Sequence, residues 1–580
     1  MKKLIPVITA IVLIVVVVAI SVGGKILDKY SYSKERADLQ EYYSLNGEDE
    51  VAIVLQNERI EEKAKLMDGV YYFDMATVHK YFNDRFYEDN NEKLLLYTLP
   101  NDTVRVEIGA SSYGMASGST DLGYTIARYT AAADGSGEVL YIAADYVKLF
   151  TDYDYEAFTK PNRMQVYTQE MPEEGAKAKL LKDTSVRYRG GVKSEILTDV
   201  SEGDTVTVLE EMENWSKVKT ADAFIGYVEN KRLESSGGAA VVIEAQPEQE
   251  ETSAFINPEF TSLTRPHKIN LGWHAVGGAV GGDMLIEAVQ NTQGLNVISP
   301  TWFALTDNEG NFSSFANQEY VNKAHDMGLE VWALIDNFTN KEVVDTYEVL
   351  SYTSKRAYLI ENLVNTTLQY GVDGINVDFE SISQDAGEHF VQFIRELSVA
   401  CRANGIVLSV DNYVPTGYTD HYDRAEQGVF ADYVIIMGYD EHYSGSSEAG
   451  SVASIGFVEE GIARTVEEVP AEKVINALPF YTRIWKSEGA ELTSEAVGME
   501  IAEQFVANHN IELRWDEETC QNYGEIQEGE TFYQVWLEDE QSIETKLNIM
   551  EKYKIGGVAA WKLGFEKESI WEVIGAYLSR

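Results

Sequence analysis

The sequence predicts an α/β fold whose C-terminal part is a (β/α)8 barrel of the TIM type. Three observations carry this. From Lys268 onward, short apolar segments alternate with helical patterns, as strands joined by crossover helices do. Eight such segments can be read, the number that closes a barrel. The densest acidic motif of the chain, Asp373-Gly-Ile-Asn-Val-Asp-Phe-Glu380, falls at the end of the fourth segment, where barrel active sites lie.

The eight segments are Lys268–Trp273, Val297–Trp302, Glu330–Asp336, Gly374–Glu380, Val407–Asp411, Tyr433–Tyr439, Val474–Tyr481 and Gly557–Leu563. Helical patterns between them include Gln318–Met327, Arg356–Tyr370 and Ser542–Tyr553; Leu359, Leu363 and Leu368 set the spacing of the second. Gly371 breaks that helix before the fourth strand. Residues 489–538 read as an insertion between the seventh and eighth strands. Within Gly374–Glu380, alternation puts Asn376, Asp378 and Glu380 on one face and Ile375, Val377 and Phe379 on the other. Carboxylates inside a sheet are costly unless paired, protonated or used. The row therefore predicts a functional site. The same barrel mouth would receive Tyr439 and Asp440 from the sixth strand and Trp561 from the eighth.

Upstream, Leu4–Gly24 is almost wholly apolar and follows Lys2 and Lys3. It is long enough for a bilayer, which takes roughly 20 residues. The lysines predict a cytoplasmic N-terminus, hence residues 1–27 as a single-pass membrane anchor and an extracellular catalytic domain. The alternative is a signal peptide cleaved near Ala19-Ile-Ser21, giving a secreted protein; the apolar core is longer than such segments usually have. Residues 28–65 read as a charged helical stalk. Residues 66–172 contain a duplication, each copy reading strand, short helix, strand: Gly69–Phe82 leading to Leu94–Thr98, then Glu138–Phe150 leading to Met164–Thr168. Residues 178–234 read as short alternating strands with a turn at Glu202-Gly-Asp204, residues 235–260 as a linker, and residues 261–580 as the barrel.

The chain has 580 residues and a formal net charge of −48, which argues against nucleic acid and anionic lipid as partners. With only Cys401 and Cys520 present, no disulfide framework is implied, and pairing of the two stays open. No Cys/His cluster has zinc-site spacing, and no metal or other cofactor is called for.

The motif Asp373-Gly-x-Asn-x-Asp-x-Glu380 closely resembles the Asp-x-x-Asp-x-Asp-x-Glu signature of glycoside hydrolase family 18, the chitinase-like enzymes. Asn376 departs from it; many members carry an acid there, and the Asn form is similar to the spore-cortex and peptidoglycan-lytic branch. Met437-Gly-Tyr-Asp440, Leu478-Pro-Phe-Tyr481 and Gly557-Val-Ala-Ala-Trp-Lys-Leu-Gly564 resemble the sixth, seventh and last strands of that family. Val297-Ile-Ser-Pro-Thr-Trp302 and Val535-Trp-Leu-Glu-Asp539 resemble the same branch. The resemblance implies a retaining, substrate-assisted enzyme. Glu380 would be the acid. Asp378 would orient the substrate's acetamido group and stabilise an oxazolinium ion. Tyr439 would donate its hydroxyl to the acetamido oxygen. Asp440, Met437 and Tyr481 would contact the sugar, and Trp561 would stack on it. Asn376 would hydrogen-bond Asp378, with Asp373 bracing the base of the strand. The implied glycan is peptidoglycan, with chitin as the alternative. A non-catalytic glycan-binding wall protein is the alternative of another class; the presence of Glu380, Asp378 and Tyr439 together favours the enzyme.

Residues 178–234 resemble a bacterial SH3-type domain, through Ser185-Val-Arg-Tyr188, Gly203–Leu209, Trp215–Val218 and Gly226–Val228. That implies a hold on cell-wall peptide. The duplicated α/β segment is weakly similar to the N-terminal domain of some copper amine oxidases, which implies no chemistry here.

Overall fold

The computed structural model describes residues 5–132, 137–168, 176–236, 257–278 and 281–580, together with 135, 239, 240 and 255; the chain divides into two compact units. Most of the expected linker 235–260 lies outside the described residues.

The second unit contains the barrel. Its strands are β1 (Ile269–His274), β2 (Val297–Leu305), β3 (Glu330–Asp336), β4 (Gly374–Asp378), β5 (Val407–Tyr413), β6 (Tyr433–Met437), β7 (Val474–Pro479) and β8 (Gly557–Trp561). Each pairs in parallel with its neighbours, and β1 pairs with both β2 and β8, which closes the cylinder. Two apolar layers follow from strand alternation. Trp273, Trp332, Leu334, Tyr433 and Ile435 fill the interior. Ile375, Val377 and Phe379 face outward, in one core with Leu359, Leu363 and Phe393 of the surrounding helices. The inward positions of β4 are thus left to Asn376 and Asp378.

Several strands end where the chain turns, not where the apolar run ends. The fourth stops at Asp378 and the sixth at Met437, short of the expected Glu380 and Tyr439. Ser381 and Asp440 have φ of 53° and 60°, which strand geometry does not allow. The eighth stops at Trp561, and the fifth runs on to Tyr413. Gly371, at φ 67°, caps helix Thr353–Tyr370 as expected. The next glycine, Gly374, has a different reason. A Cβ there would lie 2.6 Å from Cδ1 of Trp332 on β3.

The insertion starts earlier than expected. Tyr481 belongs not to β7 but to an antiparallel sheet of Tyr481–Glu488, Glu491–Gly498, Leu513–Asp516, Gln521–Glu528 and Thr531–Leu537. Helix Met499–Asn508 packs on it around Ile484, Ala502 and Val535. Just beyond, Glu538 and Lys546 form a buried ion pair at 2.9 Å, both at or below 1% exposure. Ser542 and Gln521 donate to the same carboxylate. Residues 87–105 also group with the barrel unit. Asp89 there accepts from the backbone and hydroxyl of Thr353, and Tyr87 accepts from buried Arg356, which pairs with Glu396 at 3.0 Å. Cys401 and Cys520 are free thiols.

In the first unit, strands Ala176–Lys179, Thr184–Arg187, Ile196–Val200, Thr205–Glu211, Trp215–Thr220 and Ile225–Glu229 form the small sheet expected at 178–234, around Val186, Leu197, Val206, Val218 and Val228. In the expected duplication, strand Val70–Asp74 leads into helix Met75–Tyr81 and strand Glu138–Ala143 into helix Ala144–Val147; the next strands are Phe86–Asp89 and Tyr153–Phe158, ahead of the expected Leu94–Leu99, which belongs to the barrel unit, and Arg163–Thr168. The helical stalk over 28–65 is not formed. Helix Ile5–Tyr30 ends early in that span, and Glu50–Leu55 and Glu58–Met67 pair as antiparallel strands. The continuous apolar, largely β-branched run Val51-Ala-Ile-Val-Leu55 favours a strand over a helix, and its side chains are buried. The side chains from Ile8 to Val22 are exposed. Among the described residues no helix is long and apolar enough to cross a membrane.

The ion pair under the insertion gives a stability test. Lys546→Met leaves Glu538 buried without its cation and should destabilise the barrel by about 3–5 kcal/mol in denaturant unfolding. The double variant with Glu538→Leu should recover most of that loss.

Candidate active site

The site is built on β4 and its neighbours. Asn376 is fully buried. Its Oδ1 accepts from Trp273 Nε1 on β1 (2.9 Å) and Ser299 Oγ on β2 (3.2 Å). Its Nδ2 donates to Ser409 Oγ (3.1 Å) and Asp411 Oδ1 (2.8 Å) on β5. The expected Asn376–Asp378 hydrogen bond is therefore absent, because other partners take every polar site of the amide. Asp378 sits one inward position higher. It is 7% exposed, and its Oδ1 has no hydrogen-bond partner. Burial pushes its carboxyl well above the usual range, reinforced by Asp411, Glu380 and Asp336.

Glu380 follows the end of β4 and is half-buried. Asn337 clamps its backbone: the Glu380 N–H donates to Asn337 Oδ1 (2.8 Å), and Asn337 Nδ2 donates to the Glu380 carbonyl (2.9 Å). Tyr413, just past Asp411 on β5, donates its hydroxyl to Glu380 Oε2 at 2.7 Å. Burial raises the Glu380 carboxyl; the Tyr413 hydrogen bond opposes this, while Asp440 and Asp336 add to it. Glu380 also lines a cavity of about 770 Å³ with Asn337, Phe338, Lys341 and Tyr347.

The remaining expected residues divide between the two ends of the barrel. Asp373 is at the base, where its carboxylate accepts from His325 Nε2 and the Val331 N–H, each at 2.8 Å, bracing the entry to β4. Tyr439 and Trp561 pack over the interior layer at the other end. The Trp561 ring centre is 6.0 Å from that of Trp273. Tyr439 lies edge-on to Tyr481 at 6.1 Å. Tyr481 donates to Asp440 Oδ1 at 2.6 Å, so these two expected sugar contacts hold one another. Met437 is buried, at 8% exposure.

Sequence reasoning missed four residues: Asp336, Asn337, Asp411 and Tyr413. Asp336 ends β3 opposite Asp378 and accepts from Phe338 N–H, Thr339 N–H and the Thr339 hydroxyl. The available signal was positional, since all four stand within two residues of the C-terminal end of a barrel strand.

A raised carboxyl ringed by acids and tyrosines at the mouth of a closed parallel barrel suits acid-assisted cleavage of a glycosidic bond. The fold and site define a glycoside hydrolase. Residues 273–566 match the family model for Glycosyl hydrolases family 18, and the chain belongs to that family. Residues 182–234 match the bacterial SH3 domain. The chain is 26% identical over 294 residues to the uncharacterized glycosylase YvbX of Bacillus subtilis (strain 168), covering 48% of this chain and 84% of YvbX. It is 26% identical over 224 residues to the cortical fragment-lytic enzyme of Bacillus anthracis, covering 37% of this chain. The match spans about half the length of that relative, 52%.

The buried acids make stability depend on pH. A folded-state carboxyl raised above its unfolded value keeps protons that the unfolded chain has lost, so its contribution falls as pH rises through the folded pKa. Asp378→Asn removes that penalty. Melting curves should show the variant more stable than the parent at pH 8, with the gap closing towards pH 4.

Proposed function

We propose that this enzyme cleaves β-1,4 bonds next to N-acetylglucosamine in peptidoglycan, with retention and by substrate assistance. The observation that carries this is the Glu380–Asp378 arrangement: two raised carboxyls on one face, the outer one open to a cavity. Neutral Glu380 gives its proton to the glycosidic oxygen. The acetamido oxygen of the substrate attacks the anomeric carbon as that bond breaks, giving an oxazolinium ion. Anionic Asp378 takes the acetamido N–H and stabilises the positive charge. Water then attacks the anomeric carbon from the face that the leaving group left, opening the oxazolinium ring and giving a proton back to Glu380. Tyr439 donates to the acetamido oxygen. Trp561 supports the sugar, and Asp440 and Tyr481 together hold its hydroxyls.

The cortical fragment-lytic relative supports a peptidoglycan substrate, as does the SH3-type module, which we read as a hold on wall peptide. The exposed apolar side chains of the N-terminal helix support action outside the cell, either membrane-held or after release. Sequencing the N-terminus of the mature protein in cell fractions separates the two. A catalytic domain found in the cytoplasm contradicts both.

The substrate test is digestion of purified sacculi and of colloidal chitin, followed by mass spectrometry. Muropeptide fragments ending in N-acetylglucosamine are expected, with chitin cleaved poorly; preference for chitin would make this a chitinase. Glu380→Gln should lose about 10²–10⁴-fold in kcat and keep glycan binding.

Tyr413→Phe tests the acid through its pH dependence. The lost hydrogen bond was holding the Glu380 carboxyl down, so the variant's acid stays protonated to higher pH. The basic limb of kcat/KM should move upward by up to about one pH unit. A shift the other way would remove Glu380 from the role of acid.

A further inference from the structure

The amide at position 376 cannot carry a proton, yet β5 brings a second acid to Asp378. Parallel register runs Asn376 opposite Ser409 and Val377 opposite Val410, so Asp411 stands beside Asp378 at the next level. Asp336 stands on its other side, opposite Asp378 across β3. Asp411 is 2% exposed and Asp378 is 7% exposed. Asn376 occupies Asp411 Oδ1. Asp411 Oδ2 and Asp378 Oδ1 are both buried without a hydrogen-bond partner. The titratable groups that face the pair are Asp336 from β3, Glu380 after β4, Tyr422, and Tyr439 after β6; none is a cation.

Two carboxylates enclosed side by side with no cation cannot both ionise near neutral pH. One proton between them relieves the repulsion and gives each orphaned oxygen a partner. We propose that Asp411 is a positioning residue that shares a single proton with Asp378, supplying from β5 the acid that position 376 lacks. Without substrate, the proton lies between the two carboxyls. When an acetamido N–H reaches Asp378, the proton stays on Asp411, whose hydroxyl then donates to Asp378 and holds that carboxylate as the anion facing the substrate. No proton enters or leaves the pair. Asn376 fixes Asp411 from below through the oxygen that does not take the proton. Burial raises both carboxyls, in keeping with this arrangement.

The inference rests on the proposed reaction only for its effect on rate; the shared proton itself is read on the protein without substrate. The experiment uses the full chain labelled with [γ-13C]aspartate and follows its carboxylic-acid infrared band against pH, in the parent and in Asp411→Asn. In the parent the shared proton leaves only when both groups become anions. In the variant Asp378 ionises alone. The pH at which the labelled band disappears should therefore fall by at least about one unit in the variant. The variant should melt no lower than the parent, since it removes a buried like-charged neighbour; a structural carboxylate would be missed instead. On sacculi, Asp411→Leu, which offers Asp378 no donor, should lower kcat about tenfold or more with KM changing less than threefold, while Asp411→Asn, whose amide can still donate, should keep more of the rate. If Asp411→Asn does not fold, Asp378→Asn gives the same infrared readout, with Asp411 then titrating alone and lower. A band that titrates identically in parent and Asp411→Asn overturns the inference, as does wild-type kcat in Asp411→Leu. If the parent fails to digest sacculi while the band shifts as expected, the substrate reading fails and the shared proton stands.

Discussion

The cost of enclosing carboxylates is the constraint on which the site depends. Asp336, Asp378 and Asp411 stand side by side on β3, β4 and β5. All three are buried, and burial is the first cause raising each carboxyl. A protein selected for stability alone would replace such a row with apolar residues. Here it is held in place by what surrounds it. Outward, Ile375, Val377 and Phe379 lock β4 against the helices. Beneath, Asn376 ties β4 to β1, β2 and β5 through four hydrogen bonds. Above, Asn337 and Tyr413 fix Glu380 at both backbone and carboxyl.

Burial alone does not make a carboxyl reactive, and the molecule contains the contrast. Glu538 is more deeply buried than Glu380 but meets Lys546, Ser542 and Gln521. Its lone pairs are satisfied, and it closes the base of the insertion sheet. Arg356 and Glu396 do the same between the helices that flank β4. Glu380 meets a neutral hydroxyl on one oxygen and opens onto a cavity. The difference lies in the partner: a cation makes a fixed structural pair, whereas burial and the acids around Glu380 raise its carboxyl against the opposing pull of one neutral hydroxyl.

What could be read from the sequence was local. Period-two alternation assigned the inward and outward faces of β4 correctly, and glycine marked the end of the preceding helix. The eight strands were legible because each is an apolar run bounded by polar turns. Their ends were less so, since a strand stops where φ turns positive, as at Ser381 and Asp440, and hydropathy does not record that. The partners of Asn376 were not legible. They come from β1, β2 and β5, distant in the chain, and only barrel closure brings them together. Asp411 and Tyr413 were hidden for the same reason: in sequence they are ordinary strand-end residues with no fixed spacing to the motif. Residues 28–65 misled because charge and apparent helical character outweighed a short β-branched run that pairs as a hairpin.

The central claim is that the substrate's own acetamido oxygen, assisted by Glu380 and Asp378, displaces the leaving group. The most direct measurement is proton NMR of the sugar anomer first released while sacculus glycan is being digested. Two displacements at one carbon return the starting configuration, so the β anomer should appear first and the α anomer grow in only by mutarotation. Initial release of the α anomer would mean a single displacement by water and would contradict the account.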